Sequence, residues 1–175
     1  MSENIAESRW IQTDRMRYTK NTASSRLALL AIVFDVLYFV NVYQSDVGSF
    51  YYTLLIGASV VYNLIFMLIA FLSSEGVKND KKGYSVSLAL LGAGQIARIF
   101  ILPVQMHETV WKSVKQTIDG VKTNVDLMVM GDGQFTYLII MLVLSAICLF
   151  ASAIINIIKS RRLDAHLANL DQSAA

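Results

Sequence analysis

Four long apolar blocks, at about residues 27–43, 50–72, 84–106 and 135–158, dominate the chain. The hydrocarbon core of a bilayer is about 30 Å thick, and roughly 17–25 residues of helix cross it. All four blocks meet that length. Composition agrees: of 175 residues, 55% are hydrophobic and 16% charged, with a mean hydropathy of +0.50, whereas a soluble domain carries about 25% charge. In water, four helices apolar on every side would lack the polar surface to cover them. The expected fold is therefore all-α and integral to the membrane, a bundle of four transmembrane helices. A cleaved secretory signal does not account for the first block. Polar residues 1–26 precede it, and its end (Val40, Asn41, Val42, Tyr43, Gln44) has no small-residue cleavage pattern.

The charges between blocks set an orientation. Arg9, Arg15, Arg17, Lys20 and Arg26 precede the first block; Lys78, Lys81 and Lys82 follow the second; Lys159, Arg161 and Arg162 follow the fourth. The link after the first block holds no cation, and the long link after the third holds Lys112, Lys115 and Lys122. Short loops rich in Lys and Arg stay cytoplasmic. The reading is thus a cytoplasmic N-terminal segment (1–26), a membrane domain (27–158), a cytoplasmic tail (159–175) and an outward link (107–134), in the plasma membrane. Tyr43, Phe50, Tyr51 and Tyr52 at one outer boundary, and Phe135 with Tyr137 at another, suit the headgroup level. Thr22, Ser24 and Ser25 are expected to cap the first span, and Ser73 or Ser74 to close the second before Gly76.

Two full charges fall inside the spans, Asp35 and Arg98. A charge at the bilayer centre costs on the order of 3 kcal/mol on insertion scales, so such residues face the bundle and pair. At about 1.5 Å of rise per residue, Asp35 lies roughly 12 Å and Arg98 roughly 20 Å from the cytoplasmic side. Asn63 falls near the depth of Asp35, and Gln95 lies one turn below Arg98 on the same face. Polar stripes recur in every span: Ala31, Asp35 and Tyr38; Ser59, Asn63, Phe66 and Ala70; Leu91, Gln95, Arg98, Leu102 and Gln105; Ser145, Cys148, Ser152 and Asn156. Turned inward, they form one core. Gly92 and Gly94 permit close approach to the third span, and Pro103, unable to donate to the carbonyl of Ile99, is expected to kink its outer end. The cluster of Asp35, Asn63, Gln95 and Arg98 reads as a structural pin, or alternatively as a transport site. A third option pairs one of its charges with another protein's helix.

In the outer link, Val110, Val114, Ile118, Val121 and Val125 recur at helical spacing beside Trp111. This favours an amphipathic helix to about Asp119 on the outer membrane surface. Val110, Trp111, Val114 and Ile118 are then a possible interaction surface. The rival is a hairpin, because Asp119-Gly120 is a turn signal flanked by β-branched Thr117, Ile118, Val121 and Thr123. Asp126 and Asp132 read as solvated turn residues rather than calcium ligands.

Motifs for chemistry are missing. The lone Cys148 forms no internal disulfide or Cys-based zinc site, and His107 and His166 fall on opposite sides of the expected membrane. Gly92-Ala93-Gly94 sits in an apolar span without the strand a phosphate loop needs. Glu108 beside His107 lacks a second catalytic group. A net charge of +2 gives no reason to expect a nucleic-acid partner. No metal or cofactor is expected. The functional expectation is a non-catalytic subunit or accessory protein of a larger, transporter-type membrane complex, with the lipid bilayer and other membrane subunits or further copies of itself as partners. The alternative is a small oligomeric transporter or channel that uses the intramembrane polar cluster.

Overall fold

The computed structural model describes residues 21–43, 50–79, 81–104, 115–118, 121–124 and 132–172. Four long helices carry the fold: α1 (Thr22–Tyr43), α2 (Phe50–Lys78), α3 (Gly83–Ile101) and α4 (Asp132–Gln172). Each is long and apolar enough to cross a membrane. Their exterior makes the same point. Leu54, Leu64, Leu68, Val86, Leu90, Phe100, Ile147 and Ile154 are exposed, Leu90 to 68%, while Asp35, Gln95, Ser145, Ser152 and Asn156 are fully buried. A surface of large aliphatic side chains around a polar interior is stable where lipid is the solvent. The chain is a membrane-embedded, multi-pass helical bundle.

The helices form a ring in chain order. α1 packs most extensively on α4, then α3 on α4, α1 on α2 and α2 on α3. Successive helices run antiparallel, as the contacts between their ends show. Ser25 at the start of α1 meets Ser74 near the end of α2, with 2.8 Å between their hydroxyls. Ser73 of α2 meets Ser87 at the start of α3 at 3.0 Å. Asn21, just before α1, reaches Asn156 late in α4 at 3.0 Å.

These bonds revise the expected helix ends. Ser24 and Ser25 do not cap α1; their hydroxyls cross to Ser152 and Ser74, and the first turn is closed by the Ser25 amide donating to the Asn21 carbonyl at 3.1 Å. Nor do Ser73 and Ser74 stop α2, which runs through buried Gly76 to Lys78. Gly76 serves packing instead. A Cβ there would collide with the ring of Tyr84 in α3. Gly92 likewise sits 3.1 Å, measured from an added Cβ, from the Phe150 ring of α4.

The third span is shorter than its apolar block. α3 stops at Ile101, Leu102 is a turn whose amide donates to the Arg98 carbonyl at 3.3 Å, and residues 103 and 104 are again helical. Leu102 itself keeps right-handed helical backbone, so the ladder breaks because Pro103 has no N–H to offer the Ile99 carbonyl. α4 is far longer than its block and extends past Arg162 to Gln172.

The link between α3 and α4 departs from the amphipathic-helix expectation over residues 115–118 and 121–124. Strands β1 (Lys115–Ile118) and β2 (Val121–Asn124) pair antiparallel, with Lys115 opposite Asn124 and Ile118 opposite Val121. The Asp119-Gly120 turn signal and its β-branched flanks outweigh the helical spacing of the valines. Val110, Trp111 and Val114 lie outside the described residues, and Ile118 stands in β1, not on a helix. The N-terminal residues 1–20 and Gln105 also lie outside them.

Candidate functional site

The four polar residues singled out in the spans meet at the centre of the bundle. α1 supplies Asp35, α2 supplies Asn63, and α3 supplies Gln95 and Arg98 one turn apart. Arg98 Nη1 donates to Asp35 Oδ1 at 3.0 Å and to Asn63 Oδ1 at 2.5 Å. Gln95 Nε2 donates to the same Asp35 oxygen at 3.0 Å. Arg98 and Asp35 sit on diagonally opposed helices, so their ion pair closes the ring across its middle. The depth gap expected between them is bridged by the length of the arginine.

Three further residues complete the cluster. Arg98 Nη2 donates to Ser59 Oγ at 2.5 Å. The guanidinium carbon lies 4.4 Å from the ring centre of Tyr38 and 4.8 Å from that of Tyr62. A cation over an aromatic face gains about 0.5–2 kcal/mol, more when both are out of water. Ser59 and Tyr38 stood in the sequence stripes but had no assigned role, and Tyr62 was missed. The signal was present, since Tyr38 follows Asp35 by three residues, and Tyr62 and Ser59 flank Asn63 at one and four. An intramembrane arginine needs acceptors and ring faces together, and that need could have found them. Gly94 belongs to the same packing: an added Cβ would lie 2.9 Å from the Tyr62 hydroxyl.

Charge is balanced here. Arg98 brings one cation and Asp35 one anion, each under a tenth exposed. Two charges buried together repay their desolvation only when the remaining donors and acceptors are also engaged. Arg98 is engaged by acceptors on α1 and α2, and Asp35 Oδ1 by Arg98 and Gln95, while Asp35 Oδ2 has no partner among the described residues. Leaving either charge alone would cost about 3–5 kcal/mol.

A second polar tier lies toward the Asn21 end. Ser24 and Ser152 exchange bonds in both directions, each hydroxyl donating to the other's carbonyl at 2.7 Å. Asn156 Nδ2 donates to Ser85 Oγ at 2.6 Å and to the Lys81 carbonyl at 3.3 Å. Ser145 Oγ donates to the Ala31 carbonyl at 3.0 Å. Small hydroxyl residues let helix backbones approach while satisfying one another. Beyond this tier, Lys82 pairs with Asp164 and ties the start of α3 to α4.

Among the described residues no group of three or more His, Cys, Asp or Glu could hold a metal ion. Cys148 is buried as a free thiol. Comparison with family models, curated proteins and solved structures finds no match to this chain.

Proposed function

We propose that this is a non-catalytic plasma-membrane protein, a small subunit or accessory component of a larger membrane complex, whose central ion pair is a structural pin. The observation that carries the reading is the enclosure of Arg98. Its guanidinium is bonded to Asp35, Asn63 and Ser59 and covered by Tyr38 and Tyr62, so its charge is spent within the chain. A pair so engaged holds α1, α2 and α3 in one arrangement and leaves recognition to the outer surfaces and the link. The spread of Lys and Arg among the loops supports cytoplasmic N- and C-terminal segments and an outward link.

The alternative, a small oligomeric transporter or channel, draws on the depth of the same pair in the membrane. Asp35→Asn and Arg98→Gln separate the two. As a pin, each single change lowers the yield of folded protein, and the double change restores much of it by removing the unpaired charge. Normal yield in all three variants together with lost solute flux would select transport. Purification in mild detergent tests the subunit reading: a stable co-purifying membrane protein is expected, and a partnerless monomer throughout would defeat it.

A further inference from the structure

Among the described residues, five buried polar atoms at the central ion pair or further along α1 have no hydrogen-bond partner: Asp35 Oδ2, the Tyr38 hydroxyl, Asn41 Oδ1, Asn63 Nδ2 and Gln95 Oε1. Their orientation is fixed by chemistry. Asn63 must turn its oxygen to the Arg98 donor, which leaves its nitrogen unpaired. Gln95 must turn its nitrogen to the Asp35 carboxylate, which leaves its oxygen unpaired. Turning either amide over would set donor against donor or acceptor against acceptor. In lipid such groups have no bulk water to turn to, and each costs several kcal/mol if left unmatched.

The central four comprise two acceptors (Asp35 Oδ2 and Gln95 Oε1) and two donors (Asn63 Nδ2 and the Tyr38 hydroxyl). A water molecule offers the complement, two O–H groups and two lone pairs, and buried waters typically make about three such bonds. Three of these atoms are joined through a single carbon to an atom already bonded in the Arg98–Asp35 network, so they border the same small region. The fourth belongs to the ring stacked on the guanidinium. Asn41 continues the series one turn beyond Tyr38, close to the end of α1, where its carbonyl accepts from Gln134 Nε2 at 3.3 Å. Toward the opposite end the hydroxyls of Ser24, Ser25, Ser74, Ser145 and Ser152 bond directly to protein, and the unpartnered buried atom there, Asn21 Oδ1, lies just before the start of α1.

We propose that the bundle binds internal water on one side of its ion pair, with a molecule held by Asp35, Gln95, Tyr38 and Asn63 and hydration continuing along α1 to Asn41. This goes beyond the pin reading and does not depend on it. A pin and a transport site could each be hydrated, so the test uses neither partner binding nor flux.

Full-length protein in lipid vesicles is examined by water-edited solid-state NMR. Magnetisation from water is expected to reach the side-chain carbonyl carbons of Asp35, Gln95 and Asn41 well before the side chains of Ser145 and Leu149. Equal or slower build-up at Asp35 and Gln95 overturns the proposal. Tyr38→Phe provides a second measurement, because it keeps the ring over Arg98 and removes only the hydroxyl. A hydroxyl bonded to water stabilises the fold, so the variant should melt several degrees lower in detergent. An unchanged or higher midpoint, the result for an unpaired buried hydroxyl, also overturns the proposal.

Discussion

At the scale of single residues, Arg98 shows why arginine and lysine are not exchangeable here. Its two Nη atoms serve acceptors on α1 and α2 at once, and its plane lies near two rings. Lysine presents a compact ammonium that cannot span that set. Arg98→Lys is expected to keep the charge balance yet lose about 2 kcal/mol, the value of one to two bonds to a charged group, read as a lower midpoint in detergent unfolding. Full stability in this variant would mean that only the charge matters. Asp35, Asn63, Gln95 and Arg98 were legible in the sequence because polarity within an apolar block is rare and helix rise converts position to depth. Tyr38 and Tyr62 were not, since an aromatic residue in a span is unremarkable until the cation beneath it is placed. Ser24 and Ser74 were read as helix ends because serine is favoured at such ends in water, whereas in lipid the same hydroxyl does more by crossing to a neighbour.

Among the elements, the join of α2 and α3 depends on Gly76. The Tyr84 ring occupies the space a side chain would need. Gly76→Ala should cost roughly 1–3 kcal/mol through overpacking, and adding Tyr84→Ala should recover part of the loss, a coupling measurable in a double-mutant cycle. Two independent, additive losses would place the contact elsewhere. All four helices could be found from apolar length, but not their ends. α2 and α4 continue into polar sequence, where Ser73 and Ser74 of α2 bond to Ser87 and Ser25 and Asp164 of α4 pairs with Lys82. The link held two conflicting signals, helical spacing and a hairpin turn, and strand pairing between Lys115–Ile118 and Val121–Asn124 follows the turn.

For the whole molecule, the proposed threading makes a direct prediction. Single cysteines at Lys122 and Lys81, in a background where Cys148→Ser removes the native thiol, should react differently with a reagent that cannot enter cells. The Lys122 position should label in intact cells and the Lys81 position only after lysis. The reverse pattern would invert the assigned sides.

The length of α4 has a steric consequence. From Asp164, which is tied to Lys82, the helix continues to Gln172, a stretch of about 12 Å at helical rise. Among the described residues, α4 thus projects at this end as a post set to one side of the bundle. The proposed partner, docking there, would need a notch for the post or an approach from the far edge, and its docking would then have a single angular setting.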